Sequence, residues 1–139
     1  LFPYTTLFRS SSLTTTSPTN DFLFGNVIDT AADVFAFTPT GRLKILKAGV
    51  VDMDANFFWV ITGSFQVWAR QVNPATSLDI LRDICVSPYS GLANTQTTRL
   101  STKFSVAVGD EIQFWAPGAS FAAPSLTNSR LSITWTGVR

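Results

Sequence analysis

Asp52, Asp54 and Asn56 stand two residues apart in VDMDANFFW, so in an extended chain their oxygen-bearing side chains share one face. A row of two carboxylates and an amide is the donor set a hard cation such as calcium takes, since it asks for several oxygen ligands. A solvated strand face has the same composition, and both readings stay open for the candidate metal ligands Asp52 and Asp54. Asp110 follows a glycine in VAVGDEIQF, where a short carboxylate hydrogen-bonds the backbone of its own turn rather than acting as an acid. A nucleophilic serine needs a base to take its proton, and the chain has no histidine. Neither a phosphate-cradling glycine loop nor a Cys/His metal spacing occurs. A carboxylate pair such as Asp52 with Glu111 would be what a small carbohydrate-active enzyme needs. The chemistry points instead to a protein that is not an enzyme and carries no cofactor.

The elements that hold these residues are strands. From Val51 the chain alternates, with Val51, Met53, Ala55, Phe57, Trp59 and Ile61 on one face and Asp52, Asp54, Asn56, Phe58 and Val60 on the other. Such sustained alternation marks a half-buried antiparallel strand, and a helix does not produce it. This strand is the second half of residues 37–59, FTPTGRLKILKAGVVDMDANFFW, which open with a Pro/Gly turn and break at Ala48-Gly49. Upstream, FLFGNVI from Phe22 reads as an edge or entry strand and VFAF from Val34 as a second short one. Downstream, Phe65, Val67 and Ala69 oppose Gln66, Trp68 and Arg70 until Asn73-Pro74 stops the ladder, because proline has no N–H to donate.

Residues 77–86, SLDILRDICV, fit a helical face as well as a strand; strand neighbours on both sides favour the strand. Residues 97–108 alternate again, with Leu100, Thr102, Phe104, Val106 and Val108 inward. Gly109-Asp110 then turns the chain into EIQFWA, with Ile112 and Phe114 inward and Glu111, Gln113 and Trp115 outward. The last strand places Leu131, Ile133 and Trp135 on one face and ties the terminus into a sheet. About eight short strands joined by frequent turns make an all-β, antiparallel β-sandwich, for which a jelly roll is one solution.

The 139 residues suffice for one domain with a core. Only 14% are charged, against about a quarter in an ordinary soluble domain. Low charge with 13% aromatic residues favours an oligomer whose interfaces cover some of those side chains. The net charge of +1 comes without a basic run, which excludes counterion-release binding to nucleic acid, and no apolar run is long enough to insert in a membrane. Cys85 is the only cysteine, so no internal disulfide forms, and in a strand it serves as a small buried hydrophobe. Residues 1–10, LFPYTTLFRS, resemble a translated sequencing adapter, so they are set aside as an artefact; the alternative is a genuine N-terminal strand. Residues 11–20, rich in Ser and Thr, read as a flexible polar linker, which leaves residues 21–139 as the single folded domain. On this reading the true N-terminus lies upstream of the record.

Three segments resemble the tumour-necrosis-factor-like jelly-roll superfamily, especially the globular heads of complement and collagen-type trimers. Residues 37–59 carry the aromatic, the turn ending in Thr-Gly, the strand, the Ala-Gly break and the alternating strand in order, departing at Val51, where the family usually has Tyr. VAVGDEIQF resembles the family's Gly-Asp turn between two late strands, and residues 129–138 resemble its closing strand. The resemblance implies a homotrimer and a receptor-binding head on a phage or virus fibre, on a virion or otherwise extracellular, recognising a host surface glycan or protein; fold likeness alone does not fix that function. A capsid or decoration protein with the same fold is the alternative. The expected ligand-contact residues are the loop positions Tyr89, Ser90, Asn94 and Phe121. Phe58, Trp68 and Trp115, each opposite a core set, are the expected subunit interface, unless a one-residue register slip returns them to the core.

Overall fold

The computed structural model describes residues 4–16, 21–29, 31–61, 65–87, 94–115 and 130–137. Ten strands occur among them, and no helix. In chain order they are β1 (Tyr4–Thr16), β2 (Asp21–Asp29), β3 (Phe35–Phe37), β4 (Leu43–Ile45), β5 (Gly49–Ile61), β6 (Phe65–Asn73), β7 (Leu78–Ser87), β8 (Asn94–Val106), β9 (Glu111–Trp115) and β10 (Arg130–Gly137). All pairings are antiparallel. One sheet runs β2-β1-β10-β5-β8 and the other β3-β4-β9-β6-β7, joined by the single bridge Asp21↔Trp115. The result is a two-layer antiparallel sandwich with the jelly-roll winding.

The ambiguous run after Ser77 is strand β7, paired with β6 over its length. Its Asp and Arg residues do not make it helical, because every neighbouring hydrogen-bond partner is extended. The long opening stretch divides into β4 and β5 at the Ala48-Gly49 break, and β1 adds a strand where an artefact and a linker were expected. Residues 4–10 pair with β10, and residues 9–16 pair with β2 across a register shift at Arg9/Ser10. Ser and Thr lack apolar surface, yet Thr is at home in strands and a ladder needs only backbone N–H and C=O groups. Polar composition alone therefore does not separate a linker from a paired strand at residues 11–16.

The inner faces follow the alternation. Val51, Met53, Ala55 and Phe57 from β5 meet Leu100, Phe104 and Val106 from β8 and Leu131, Ile133 and Trp135 from β10, all buried. The opposite layer contributes Leu43, Ile45, Val67, Ala69, Ile112 and Phe114. Phe57 and Phe114 join the layers edge to face, with centroids 5.8 Å apart. Cys85 is buried with them. Two expectations need correction. Val108 is exposed, because β8 ends at Val106 and the chain is already turning. Gln113 points outward by register but is buried beneath its neighbours, with Arg70 Nη1 donating to its Oε1 at 3.4 Å.

Trp135 is the largest fully buried side chain, and two glycines make room for it. A Cβ on Gly49 would lie 2.5 Å from Trp135 Nε1 and 2.6 Å from the Thr136 carbonyl oxygen, and one on Gly137 would strike the same indole. The indole N–H donates to Lys47 O at 3.1 Å, so the strand break at Ala48-Gly49 and the closing strand lock together.

Candidate functional site: an apolar outer face and a polar cleft

Strand β6 inserts Val67 and Ala69 into the core, which forces Trp68 onto the outer face. There it lies opposite Trp115 of β9 and Ile84 of β7. The two indoles meet edge to face, with centroids 5.3 Å apart at 81°. Trp68 Nε1 donates to Gln66 Oε1 at 3.0 Å, and the Arg70 guanidinium sits 5.3 Å from the Trp115 ring. Arg70 is itself fixed by Asp79, with Nε donating to Oδ1 at 3.1 Å and Nη2 to Oδ2. Beside this pair β7 turns Leu81, Ile84 and Val86 outward, and they stay 43, 40 and 54% exposed. Three large aliphatic side chains left open beside two half-buried tryptophans make one continuous apolar face. The structure thus brings Trp68 and Trp115 together. The β7 contribution was missed, because a segment not yet fixed as strand or helix has no assignable outer row.

Phe58 does not join them. It belongs to β5 and pairs with Thr97 on β8, in the other sheet. Apart from Val50 at its end, the described side chains of β5, β8 and β10 on that second outer face are polar or charged. Asp54 receives a two-pronged contact from Arg99, with Nε to Oδ1 at 3.0 Å and Nη2 to Oδ2 at 2.6 Å, and Asp52 lies opposite Lys103. The hydrogen bonds Arg99 donates to Asp54, and then the Asp54 charge, raise the Arg99 pKa above its ordinary value. Ser132 and Thr134 of β10 stand opposite Asp54 and Asp52. No group of three or more Asp, Glu, Cys or His side chains placed to hold a metal occurs among the described residues. Glu111 takes Arg42 as its ion-pair partner at 3.4 Å, on the outer face of the opposite sheet from Asp52. The two carboxylates therefore cannot flank one sugar bond. Tyr89, Ser90 and Phe121 lie outside the described residues, and Asn94 is described only as a backbone position of β8.

The Gly109-Asp110 turn carries a second arrangement, at the end of the sandwich where β7 approaches β8. Gly109 has φ +89°, the left-handed region in which glycine carries no steric cost. Asp110 is 1% exposed, and its Oδ2 accepts from Ala107 N at 2.8 Å, closing its own turn as expected. The carboxylate reaches further than the turn. Asn73 Nδ2 donates to Oδ1 at 2.9 Å, Gln71 Nε2 donates to Oδ2, and Arg82 Nε donates to Gln71 Oε1 at 2.8 Å. A buried charge is tolerable only with such a full set of partners. These residues floor a cleft of about 730 Å³ between the β6–β7 turn and the β8–β9 turn.

No family model matches the sequence, and no curated protein matches it. Solved structures do. The chain is 11% identical to Eiger TNF from S. frugiperda, covering 97% of this chain and 94% of that one with a TM-score of 0.70. It is 10% identical to murine APRIL crystallised at pH 8.0, covering 95% and 99%, with a TM-score of 0.75. The pH 8.5 form of murine APRIL gives 11% identity and a TM-score of 0.74 over the same shares. The fold is a TNF-like jelly roll.

Proposed function

We propose that this chain is a non-enzymatic head domain that assembles as a homotrimer and recognises a host surface glycan or protein from a virion or another extracellular particle. The observation that carries the assembly is the apolar outer face of β6, β7 and β9. Trp, Arg and large aliphatic side chains gathered in one patch are the composition of an association surface. Covering the exposed parts of Leu81, Ile84 and Val86 would contribute about 1 kcal/mol each. A face on one protomer set against a different patch on the next closes a ring when the rotation is threefold. Recognition and the extracellular setting draw support from the TNF-like fold, and the virion from the motif resemblance to fibre heads alone. Three linked copies would multiply a modest single-site affinity.

Sedimentation velocity tests the assembly. The wild-type chain is expected at three times its 15.2 kDa protomer mass, and Ile84→Asp at the protomer mass with its melting temperature retained. A wild-type chain that sediments as a monomer across the micromolar range overturns the reading.

A further inference from the structure

We propose that the cleft above Asp110 is a binding site for a carboxylated sugar, with Arg82 as the residue that takes the carboxylate. This rests on the recognition reading above and names its ligand class and its place. Of the three half-buried arginines among the described residues, Arg42 holds Glu111 and Arg70 holds Asp79, each as an ion pair. Arg82 has no carboxylate within ion-pair range among the described residues; its protein acceptor is the neutral Gln71 Oε1, reached from Nε and Nη2. Its guanidinium also lies 4.8 Å from the Phe104 ring, so one flat side rests on β8 while the head is tied to β6. Both contacts fix the fork before any ligand arrives. The N–H groups on Nη1 and the second on Nη2 are left for an incoming acceptor. A guanidinium held in one orientation is suited to a planar carboxylate, which accepts two parallel hydrogen bonds.

The charges around the cleft favour this use of Arg82. Asp79 is already engaged by Arg70, and the Asp110 charge is met by Gln71, Asn73 and a backbone N–H. Gln71 stands between Arg82 and Asp110 and passes part of each charge to the other through its amide dipole. The pairs Arg70–Asp79 and Arg82–Asp110 leave the cleft neutral overall, so the attraction for an anion is local to the Arg82 guanidinium, which has no carboxylate in ion-pair range among the described residues. The rest of the lining suits a sugar better than a peptide backbone. Thr76, Ser77, Asn73 and Ser105 offer hydroxyl and amide groups, while Ile80 and Val108 offer apolar surface for the C–H face of a ring. A volume of about 730 Å³ is of the size that takes one or two sugar rings.

The test is a titration of the intact chain followed in nitrogen-edited NMR by the Arg82 Nε–H resonance and, in wild type and variants alike, by the backbone amide of Ala107 in the cleft lining. Glucuronic acid and N-acetylneuraminic acid are the probes, with glucose, acetate and an acidic hexapeptide as comparisons. Both acid sugars are expected to shift the resonance saturably. Arg82→Met removes the fork, and Thr76→Trp adds bulk to the cleft lining from an exposed turn position. Each is expected to weaken binding by at least about tenfold. Thr76→Trp should keep the wild-type melting temperature, which separates lost binding from lost folding. The proposal is overturned by the absence of a saturable shift with either acid sugar, by equal binding of glucose or acetate, or by tighter binding of the hexapeptide. Sedimentation keeps the two readings apart: a trimer that ignores acid sugars overturns the cleft assignment alone, whereas a monomer that binds them overturns the assembly alone.

Discussion

Gly49→Ala is the sharpest probe of how the sandwich closes. The new methyl carbon would lie 2.5 Å from Trp135 Nε1 and 2.6 Å from Thr136 O, where carbon contacts ordinarily begin near 3.5 Å. Both neighbours stand about 1 Å too close, so the indole must yield and the Thr136 carbonyl, in a strand paired on both sides, must shift as well. Crowding a packed core costs about 1–3 kcal/mol, and losing the indole bond to Lys47 O costs about 1 kcal/mol more. The stiffer unfolded chain returns about 0.5 kcal/mol. The net loss is about 1.5–3.5 kcal/mol, or about 5–10 °C in melting temperature for a chain of this size. Urea unfolding at fixed protomer concentration measures it. Gly109→Ala is the internal standard: φ there is +89° but the nearest atom is 3.5 Å away, so only the conformational cost of about 1–2 kcal/mol applies. In a Trp135→Phe background the smaller ring leaves room, and Gly49→Ala should cost about 1–2 kcal/mol less than in wild type. A double-mutant coupling near zero, or Gly49→Ala milder than Gly109→Ala, refutes the clamp.

Asp110→Asn replaces one acceptor oxygen with a donor that faces the donors of Gln71, Asn73 or Ala107, so it is expected to cost about 2–3 kcal/mol in the same urea assay. Asp54→Asn, at a partly exposed pair, should stay within about 1 kcal/mol of wild type. Deleting residues 1–10 uncovers one edge of β10 along Leu131–Gly137 and should lower the melting temperature. Restoring that length with an unrelated Thr/Val segment should recover it, because the pairing is made by backbone groups; recovery only with the original residues would argue that their side chains are needed.

The inner faces were legible because alternation is a local signal that burial enforces. Met53, Phe57, Ile112, Phe114, Ile133 and Trp135 are buried where period two puts them. The Gly-Asp turn was legible for a similar reason, since glycine and a short carboxylate have few other uses together. What the pattern does not carry is contact between strands far apart in the chain. Gln71, Asn73 and Arg82 read as ordinary polar strand and turn residues, and only the register of β6 with β7 and β9 gathers them around Asp110. The outer row of β7 was hidden likewise. Opposite Ala69/Arg70 of β6 the register shifts and leaves Arg82 as the extra residue of β7, so Leu81 and Ile84 both face outward although they are three apart, which is the spacing of a helix. The helical ambiguity in the sequence is thus the trace of a real feature of the strand.

The contrast between the two outer faces decides where a partner would dock. On the β1-β10-β5-β8 side the described residues are Asp52 opposite Lys103, Asp54 held by Arg99, and Ser132 and Thr134 between them. Covering that side would strip water from at least four charges whose pairing in water is worth little, so the desolvation cost has little to offset it. On the β6-β7-β9 side the charges are already closed upon one another. Arg70 holds Asp79 and lies against Trp115, and although Asp79 and Gln66 also face water, Leu81, Ile84 and Val86 are the large apolar groups that do. Removing those from water is favourable with no charge left unpaired. The same bulge that blurred β7 in the sequence sets its aliphatic row beside the two tryptophans, so a local irregularity of one strand builds the face on which the proposed association rests.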